Sequence, residues 1–182
     1  MKFLKWLAIV VIGLVVIAFV GYKVMISQTK KHSPQETVVY NQDGYDVEIV
    51  YCRPFKKERD IFGGLVPYGE VWRTGANEAT TFVTGTDLVI GDQTLPAGEY
   101  TLWTIPGPKK WEVIFNNGEY GWGVTFDGAA RIAEYDVASI TVPVQRNFKV
   151  LEQFTIEIDH DPPLLMLGWD FTRVDVPLGK SK

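Results

Sequence analysis

The chain has 182 residues, of which 46% are hydrophobic and 22% are charged, a composition that excludes a disordered chain and is typical of a globular domain. The net charge of −4 is unevenly distributed, because residues 1–35 contain five lysines and no acid, which leaves 13 − 22 = −9 for the remainder. Such an acidic domain argues against nucleic acid as a partner, since phosphates require patches of Lys and Arg.

Residues 6–22 read WLAIVVIGLVVIAFVGY and contain no charge. As a helix this segment is about 25 Å long, and the hydrocarbon core of a bilayer is roughly 30 Å thick. Lys5 and Lys23 have side chains long enough to reach the interface, where Trp6 and Tyr22 also belong. We predict a transmembrane anchor at 6–22, a cytoplasmic tail at 1–5 and a polar linker at 23–36.

A cleaved secretory signal is the alternative interpretation of this segment. Its apolar run is longer than a usual signal core, and no clear Ala-x-Ala site follows it. Lysines on both sides nearly balance, so charge does not decide the orientation. We expect a single-pass protein of the cytoplasmic membrane with its domain on the extracytoplasmic side, because a lone N-terminal anchor usually acts as an export signal.

Strand patterns dominate the predicted domain, residues 37–177, which a short tail at 178–182 follows. Tyr45, Val47, Ile49 and Tyr51 alternate with polar residues, and a turn at 43–44 pairs this strand with 37–40. Further strands are predicted at 80–84 paired with 88–90, then at 99–105, 111–116, 139–144, 154–159 and 165–176, with a short helix near 129–135. The pattern predicts an all-β fold, mainly an antiparallel sandwich or a partly open barrel.

Residues 53–81 interrupt the strand pattern with a segment longer than a structureless connection in a compact domain. Three arginines in it are candidates for binding an anion, an amide and a carboxylate suit a hydroxyl-rich ligand, and two aromatic rings are available for stacking. These candidate ligand-binding residues are Arg53, Arg59, Arg73, Asn77, Glu78, Tyr68 and Trp72. In the alternative interpretation, Arg73 pairs with Glu78 to fasten the segment and residues 75–77 form a turn with a left-handed residue.

Three stretches of the sequence resemble a known family: IFGGLVPYGEVWRTGANEATT, LPAGEYTLWTIPG and WEVIFN. They are similar to the bacterial domain-of-unknown-function family numbered 2911, over residues 36–177. The resemblance implies a protein of the bacterial envelope or a secreted protein and implies no activity. Many relatives are exported through a cleavable or lipid-modified signal, from which the long apolar segment of this chain departs.

Other groups of residues give weaker indications of a functional site. In a strand, Asp159 and Asp161 share a face that His160 does not, so a metal site there needs a bend such as residues 162–163 provide; we predict no metal and no cofactor. Cys52 is the single cysteine and is predicted to be a buried thiol. The loop at 116–123 is either a sugar-stacking surface or a wide turn with Trp122 in the core.

Three functional hypotheses follow. The favoured one is a non-catalytic binding or interaction module of the bacterial envelope, whose partner is a glycan, a small anion or a protein. The second is a hydrolase or lyase of envelope carbohydrate in which Glu78 acts as acid and base and Arg73 orients the substrate. The third is a structural partner of another membrane protein, which a large exposed apolar patch would favour.

Overall fold

The computed structural model describes the backbone of residues 2–180 and the side chains of residues 3–180. The chain forms two compact units, Met1–His32 and Ser33–Lys182. Residue 1 of the predicted tail at 1–5 and residues 181–182 of the predicted tail at 178–182 lie outside the described residues.

The first unit is a single helix, α1, from Lys2 to His32. Its segment Phe3–His32 is long and apolar enough to cross a membrane, with a mean hydropathy of 2.8 in its most apolar window; a signal sequence meets the same criteria. The helix continues through most of the predicted linker at 23–36, because residues 23–32 contain neither Gly nor Pro. It ends shortly before Pro34, whose ring disfavours a preceding helical residue.

The described part of the second unit contains thirteen strands. They are β1 Gln35–Tyr40, β2 Val47–Cys52, β3 Thr81–Thr84, β4 Leu88–Ile90, β5 Gln93–Leu95, β6 Gly98–Ile105, β7 Lys110–Asn116, β8 Val124–Thr125, β9 Gly128–Ala129, β10 Asp136–Pro143, β11 Gln145–His160, β12 Pro163–Pro177 and β13 Gly179–Lys180. Of the predicted helix at 129–135, only a short 3₁₀ helix at Ala133–Tyr135 is present.

Six strands form the main sheet in the order β1-β2-β3-β6-β7-β10, and all neighbours in it are antiparallel. Strands β11 and β12 form a long ribbon, β13-β4-β5 form a small sheet, and β8 pairs with β9. The prediction of a mainly antiparallel β fold preceded by an apolar helix is confirmed. Within the predicted tail at 178–182, Gly179 and Lys180 form β13, which pairs with β4.

The first hairpin matches its sequence pattern. β1 pairs with β2 across a turn in which Asp43 and Gly44 have positive φ, and Tyr45, Val47 and Ile49 are buried. The predicted pairing of 80–84 with 88–90 is wrong, since β3 pairs with β2 and β6. The chain turns at Gly91, whose φ is +63°, so β4 pairs with its immediate successor β5 instead.

The core lies between the main sheet and the β11–β12 ribbon, and an aromatic cluster occupies its centre. Trp72 and Trp169 stack with their ring centroids 6.2 Å apart, and Trp72 meets Phe154 edge to face at 4.9 Å. Phe62 meets Trp111 at 4.6 Å. Trp72 and Phe62 come from the irregular segment at 53–81, so that segment contributes directly to the core.

Candidate functional site

The irregular segment at 53–81 is fixed to the main sheet by its backbone. Trp72 and Thr104 of β6 exchange two backbone hydrogen bonds, at 2.8 and 2.9 Å, and the Gly69 N–H donates to the Pro106 carbonyl at 2.8 Å. Ile61 and Val66 are buried in the core. The segment therefore behaves as an ordered part of the fold, and its polar side chains are held in defined positions.

A strained turn lies at the centre of this segment. Thr74 and Asn77 have φ values of 55° and 58°, which are rare for residues other than glycine and costly for a β-branched one. The Thr80 hydroxyl donates to the Thr74 carbonyl at 2.6 Å, and the Asn77 amide donates to the Ser33 carbonyl at 3.2 Å. The predicted left-handed residue within 75–77 is therefore found, at Asn77. Such strain persists where surrounding contacts over-determine it, and it concentrates at binding and catalytic sites.

Arg53 fastens strands together. Its Nε donates to the Phe154 carbonyl at 3.1 Å, its Nη2 donates to the Thr155 hydroxyl at 2.9 Å, and its Nη1 pairs with Glu36. These contacts join the end of β2 to β1 and β11. The guanidinium is thus engaged on several sides by the protein itself.

Arg59 and Tyr68 lie at the surface. Arg59 donates from Nε to the Lys56 carbonyl at 3.0 Å and from Nη2 to the Phe55 carbonyl, which holds its side chain over its own turn. Tyr68 is exposed and lies against a surface depression beside residues 105–110. Its ring also covers Gly63, where an added Cβ would lie 2.7 Å from the ring.

Arg73 is a half-buried cation of the segment. Its Nη1 donates to the Trp122 carbonyl at 3.3 Å, and its Nε is buried without a hydrogen-bond partner among the described residues. Burial lowers the pKa of the guanidinium below its ordinary value, while the neighbouring Cys52 and Glu78 act in the opposite direction. Arginine nevertheless stays charged in proteins, so a partly desolvated positive charge is fixed here.

A cleft of about 420 Å³ opens beside this guanidinium, and we refer to it as the Arg73 cleft. It combines two arginines and one glutamate with aromatic and aliphatic walls. Its lining residues are Ser33, Pro54, Arg59, Leu65, Val66, Glu70, Val71, Trp72, Arg73, Gly75, Ala76, Val124, Gly128, Ala129 and Trp169. A concave, largely apolar site with a few fixed polar groups is the usual form of a small-molecule pocket.

Glu78 faces a different cleft, of about 340 Å³, which we call the Glu78 cleft. The Cys52 thiol donates a hydrogen bond to Glu78 Oε2 at 3.4 Å. Glu99, Glu119, Tyr100 and Tyr120 also line this cleft. Across residues 3–180, no group of three or more His, Cys, Asp or Glu side chains lies close enough to hold a metal ion.

A family model described as "Protein of unknown function (DUF2911)" matches residues 33–178. The chain belongs to the DUF2911 family. This match covers most of the β-rich unit, from two residues before β1 to just before β13. No curated protein and no solved structure matches the chain.

The DUF2911 domain brings together some of the predicted site residues and separates others. Arg59, Trp72 and Arg73 line one cleft, whereas Glu78 lines another and Tyr68 lies on a further surface. Asn77 is buried and fastened to Ser33, and Arg53 is fastened to the strands β1 and β11. Arg73 donates a hydrogen bond to the Trp122 carbonyl and feels the charge of Glu78, so the pairing of Arg73 with Glu78 as a fastening contact stays a prediction.

Sequence patterns missed several residues of the Arg73 cleft. Trp169 lies in a predicted strand, and its sequence context did not indicate that its ring lines a cleft. Glu70 was not distinguished from the other polar residues of the segment. Gly123 has φ +69°, and an added Cβ there would lie 3.1 Å from the Arg73 Cβ. The cluster of glycines at 118–123 was the available signal, because such a cluster often permits close approach of another segment.

The loop at 116–123 contacts residues that line both clefts. The Tyr120 hydroxyl donates to Asn116 Oδ1 at 2.8 Å, and its ring meets Trp103 edge to face at 5.2 Å. Trp122 is half-buried. Residues 117–121 of this loop line the Glu78 cleft, and the Trp122 carbonyl accepts the hydrogen bond of Arg73, which lines the other cleft.

Proposed function

We propose that this protein is a membrane-tethered binding module that takes a small organic anion with an apolar body into the Arg73 cleft. The observation that carries the proposal is the half-buried Arg73 guanidinium, which lines a cleft of about 420 Å³ and donates one hydrogen bond to the protein, to the Trp122 carbonyl. A fixed, partly desolvated guanidinium binds carboxylate or phosphate more strongly than an exposed one, because competing water is reduced.

The charge balance of the cleft supports an anionic ligand. Arg59 and Arg73 bring two positive charges, and Glu70 brings one negative charge at the exposed rim. This local excess of positive charge is found in a unit whose total is strongly negative. Of the three ligand classes that the sequence left open, an anion therefore suits the cleft better than a neutral glycan.

The walls of the cleft support a ligand with an apolar body. Trp169 is buried and stacks on Trp72, whose Nε1 donates to the Gly75 carbonyl at 3.1 Å. The two indoles are thus immobilised before any ligand binds. A preorganised wall lowers the entropic cost of binding, which favours affinity for a small ligand.

The N-terminal helix supports the tether. Phe3–His32 is about 45 Å long at 1.5 Å per residue, enough to cross a bilayer with a turn to spare on each side. Lys30, Lys31 and His32 form its last turn, where basic side chains suit lipid headgroups. We assign the helix as an uncleaved anchor of the cytoplasmic membrane, with the β domain on the extracytoplasmic side.

A binding panel on the full chain in nanodiscs tests the proposal. The probes are benzoate, phenyl phosphate and glucuronate, with benzylamine and glucose as the cationic and neutral comparisons. Isothermal titration should show binding of the aromatic anions, and Arg73→Met should weaken it by about tenfold to a hundredfold. Arg146→Met removes the same charge from an exposed position outside the cleft and should leave the affinity unchanged. Equal binding of benzylamine and benzoate would overturn the proposal.

A carbohydrate-active enzyme is the second candidate, and one observation favours it. Glu78, Glu99 and Glu119 line the same cleft with Tyr100 and Tyr120, and paired carboxylates beside aromatic rings are what glycoside chemistry uses. Arg73 lines the other cleft, so this version gives it no role in orienting the substrate. Glu78→Gln should abolish release of reducing sugar from envelope glycans without lowering thermal stability. A stability loss with no activity in the wild-type chain would assign Glu78 to the scaffold.

A further inference from the structure

A large, irregular bulge interrupts the β11–β12 ribbon. On β11, the four residues at 147–150 separate the paired positions Arg146 and Leu151, whereas on β12 Phe171 alone separates their partners. Asn147 is half-buried and donates to the Thr172 carbonyl, whereas Phe148 is fully exposed, with a relative accessibility of 104%. Val150 and Phe171 are also exposed. The bulge and its neighbour Phe171 therefore expose apolar side chains to solvent.

Cations accompany these apolar side chains. Lys149 is exposed between Phe148 and Val150, and the Arg146 guanidinium lies 4.9 Å from the centroid of the Phe171 ring. We call Arg146, Phe148, Lys149, Val150 and Phe171 the Phe148 patch. It contains two positive charges and no negative charge, in a unit with an excess of acids.

The two carboxylates that flank the patch are already engaged. Glu152 Oε1 accepts a hydrogen bond from the Lys57 backbone N–H at 3.0 Å. Asp170 Oδ2 pairs with the Lys56 Nζ at 3.0 Å. Lys56 offsets the charge of Asp170, whereas Glu152 keeps its charge, so the cations Arg146, Lys149 and Lys56 outnumber the two carboxylates close to the exposed rings.

We propose that the Phe148 patch is a membrane-docking surface, which places the Phe148 ring at the boundary between headgroups and acyl chains and binds anionic headgroups through Arg146 and Lys149. Aromatic side chains next to Lys and Arg are the combination that interfacial segments use. The basic residues match the negative surface of a membrane that contains anionic lipid. Their long aliphatic stems also allow them to follow the ring towards the headgroups.

The size of the patch favours a bilayer over a protein. A stable protein interface uses roughly 20–30 residues on each side, far more than this patch offers. A single protruding ring flanked by flexible cations needs no complementary pocket in a lipid surface. The docking is independent of the Arg73 cleft, so Arg73→Met should leave it unchanged.

Lipid contact at the patch is measured on the full chain in nanodiscs. Val150→Cys is labelled with the fluorophore NBD under native conditions, in which the buried Cys52 is protected. Asp92→Cys, at the exposed turn between β4 and β5, provides the matched control site. We expect spin-labelled lipid to quench the probe at 150 in bilayers that contain phosphatidylglycerol and not at 92. Adding Phe148→Ser, or Arg146→Gln with Lys149→Gln, should reduce the quenching at 150 to that of the control site.

Three results would overturn the proposal. The first is no quenching at 150 in any bilayer, and the second is quenching at 150 that survives both sets of substitutions. The third is a blue shift of the probe that grows with protein concentration in detergent and is not accompanied by quenching, which would assign the patch to a second copy of the chain. Wild-type protein carried through the labelling should show no signal, and circular dichroism should confirm that each variant is folded.

Discussion

The Arg73 Nη1 donates a hydrogen bond to the Trp122 carbonyl at 3.3 Å, which joins the segment before β3 to the loop after β7. The next residue, Gly123, makes this approach possible. An added Cβ at 123 would lie 3.0 Å from the Ala79 Cβ and 3.1 Å from the Arg73 Cβ. The position of the guanidinium in its cleft therefore depends on a glycine about fifty residues away along the chain.

Gly123→Ala should displace Arg73 and weaken binding of aromatic anions by about tenfold, with a stability loss of about 1–3 kcal/mol. The control is Gly121→Ala, since Gly121 also has a positive φ, of +48°, but an added Cβ there meets nothing within 4 Å. The control should lose stability through backbone strain and keep its affinity. Titration calorimetry and urea denaturation measure the two quantities. Equal affinity loss in both variants would show that strain, and not the contact with Arg73, controls the cleft.

Trp72 should be the residue of the irregular segment on which stability depends most. Trp72→Ala removes a ring that packs on Phe154 and Trp169, and should cost about 3–5 kcal/mol of unfolding free energy. Trp72→Phe keeps an aromatic ring and loses the hydrogen bond to Gly75, so a smaller cost of about 1–2 kcal/mol is expected. Trp122→Ala, at a half-buried ring outside the aromatic cluster, is the comparison, and a cost as large as that of Trp72→Ala would contradict this ranking.

Arg53 should contribute to stability through its links between strands. Arg53→Met leaves Glu36, Thr155 and the Phe154 carbonyl without their donor, and we expect a loss of about 2–3 kcal/mol. Arg146→Met, at the exposed strand position beside the bulge, should change the unfolding free energy by less than about 0.5 kcal/mol. Chemical denaturation of both variants checks the difference. The assignment of Arg53 to a structural role fails if the two variants are equally stable.

The ionisation of Tyr51 should lower the stability of the fold at alkaline pH. Burial raises the pKa of its phenol from 10.0 to about 12, in spite of the hydrogen bond that the Ile156 backbone N–H donates to the phenolic oxygen and the nearby Arg53, which both act in the opposite direction. The folded state therefore holds the proton more tightly than the unfolded state, so this contribution is complete below pH 10 and is lost as the pH rises towards 12. The loss amounts to roughly 2–3 kcal/mol, at 1.4 kcal/mol for each pKa unit.

The matched variant for this prediction is Tyr51→Phe. Its unfolding free energy should fall less steeply between pH 9 and pH 11 than that of the wild-type chain, because the other tyrosines and the lysines titrate in both proteins. Urea denaturation at several pH values measures the slopes. Parallel slopes in the two proteins would show that the Tyr51 proton is not linked to folding.

Alternation of apolar and polar residues predicted most of the strands, because each face of a β-strand meets one environment. The first hairpin was predicted with its inward tyrosines, and the positions of β6, β7, β11 and β12 were located within their true bounds or close to them. Pairing between strands was less predictable. β3 and β4 are neighbours in sequence, but the tight turn at Gly91 pairs β4 with β5. The spacing of residues does not show whether β4 pairs with the strand before it or with the strand after it.

The irregular segment was recognised as exceptional by its length and its polar content, but the direction of each side chain was not predictable. Arg53 and Asn77 point to partners that are distant in sequence, Thr155 and Ser33. The two clefts are formed by residues from several separate strands and loops, so no periodic pattern in the sequence predicts either of them. Trp169 illustrates this, since a buried strand residue and a cleft wall have the same local pattern.

The most direct test of the Arg73 cleft is two-dimensional nitrogen–proton NMR of the indole N–H groups during titration of the full chain with benzoate. The chain has six tryptophans, and two of them line the cleft. We predict saturable shifts of the Trp72 and Trp169 signals, their loss in Arg73→Met, and an unmoved signal of Trp103, whose ring contacts Tyr120 of the Glu78 cleft. Saturable shifts of Trp103 without shifts of Trp72 and Trp169 would contradict the account.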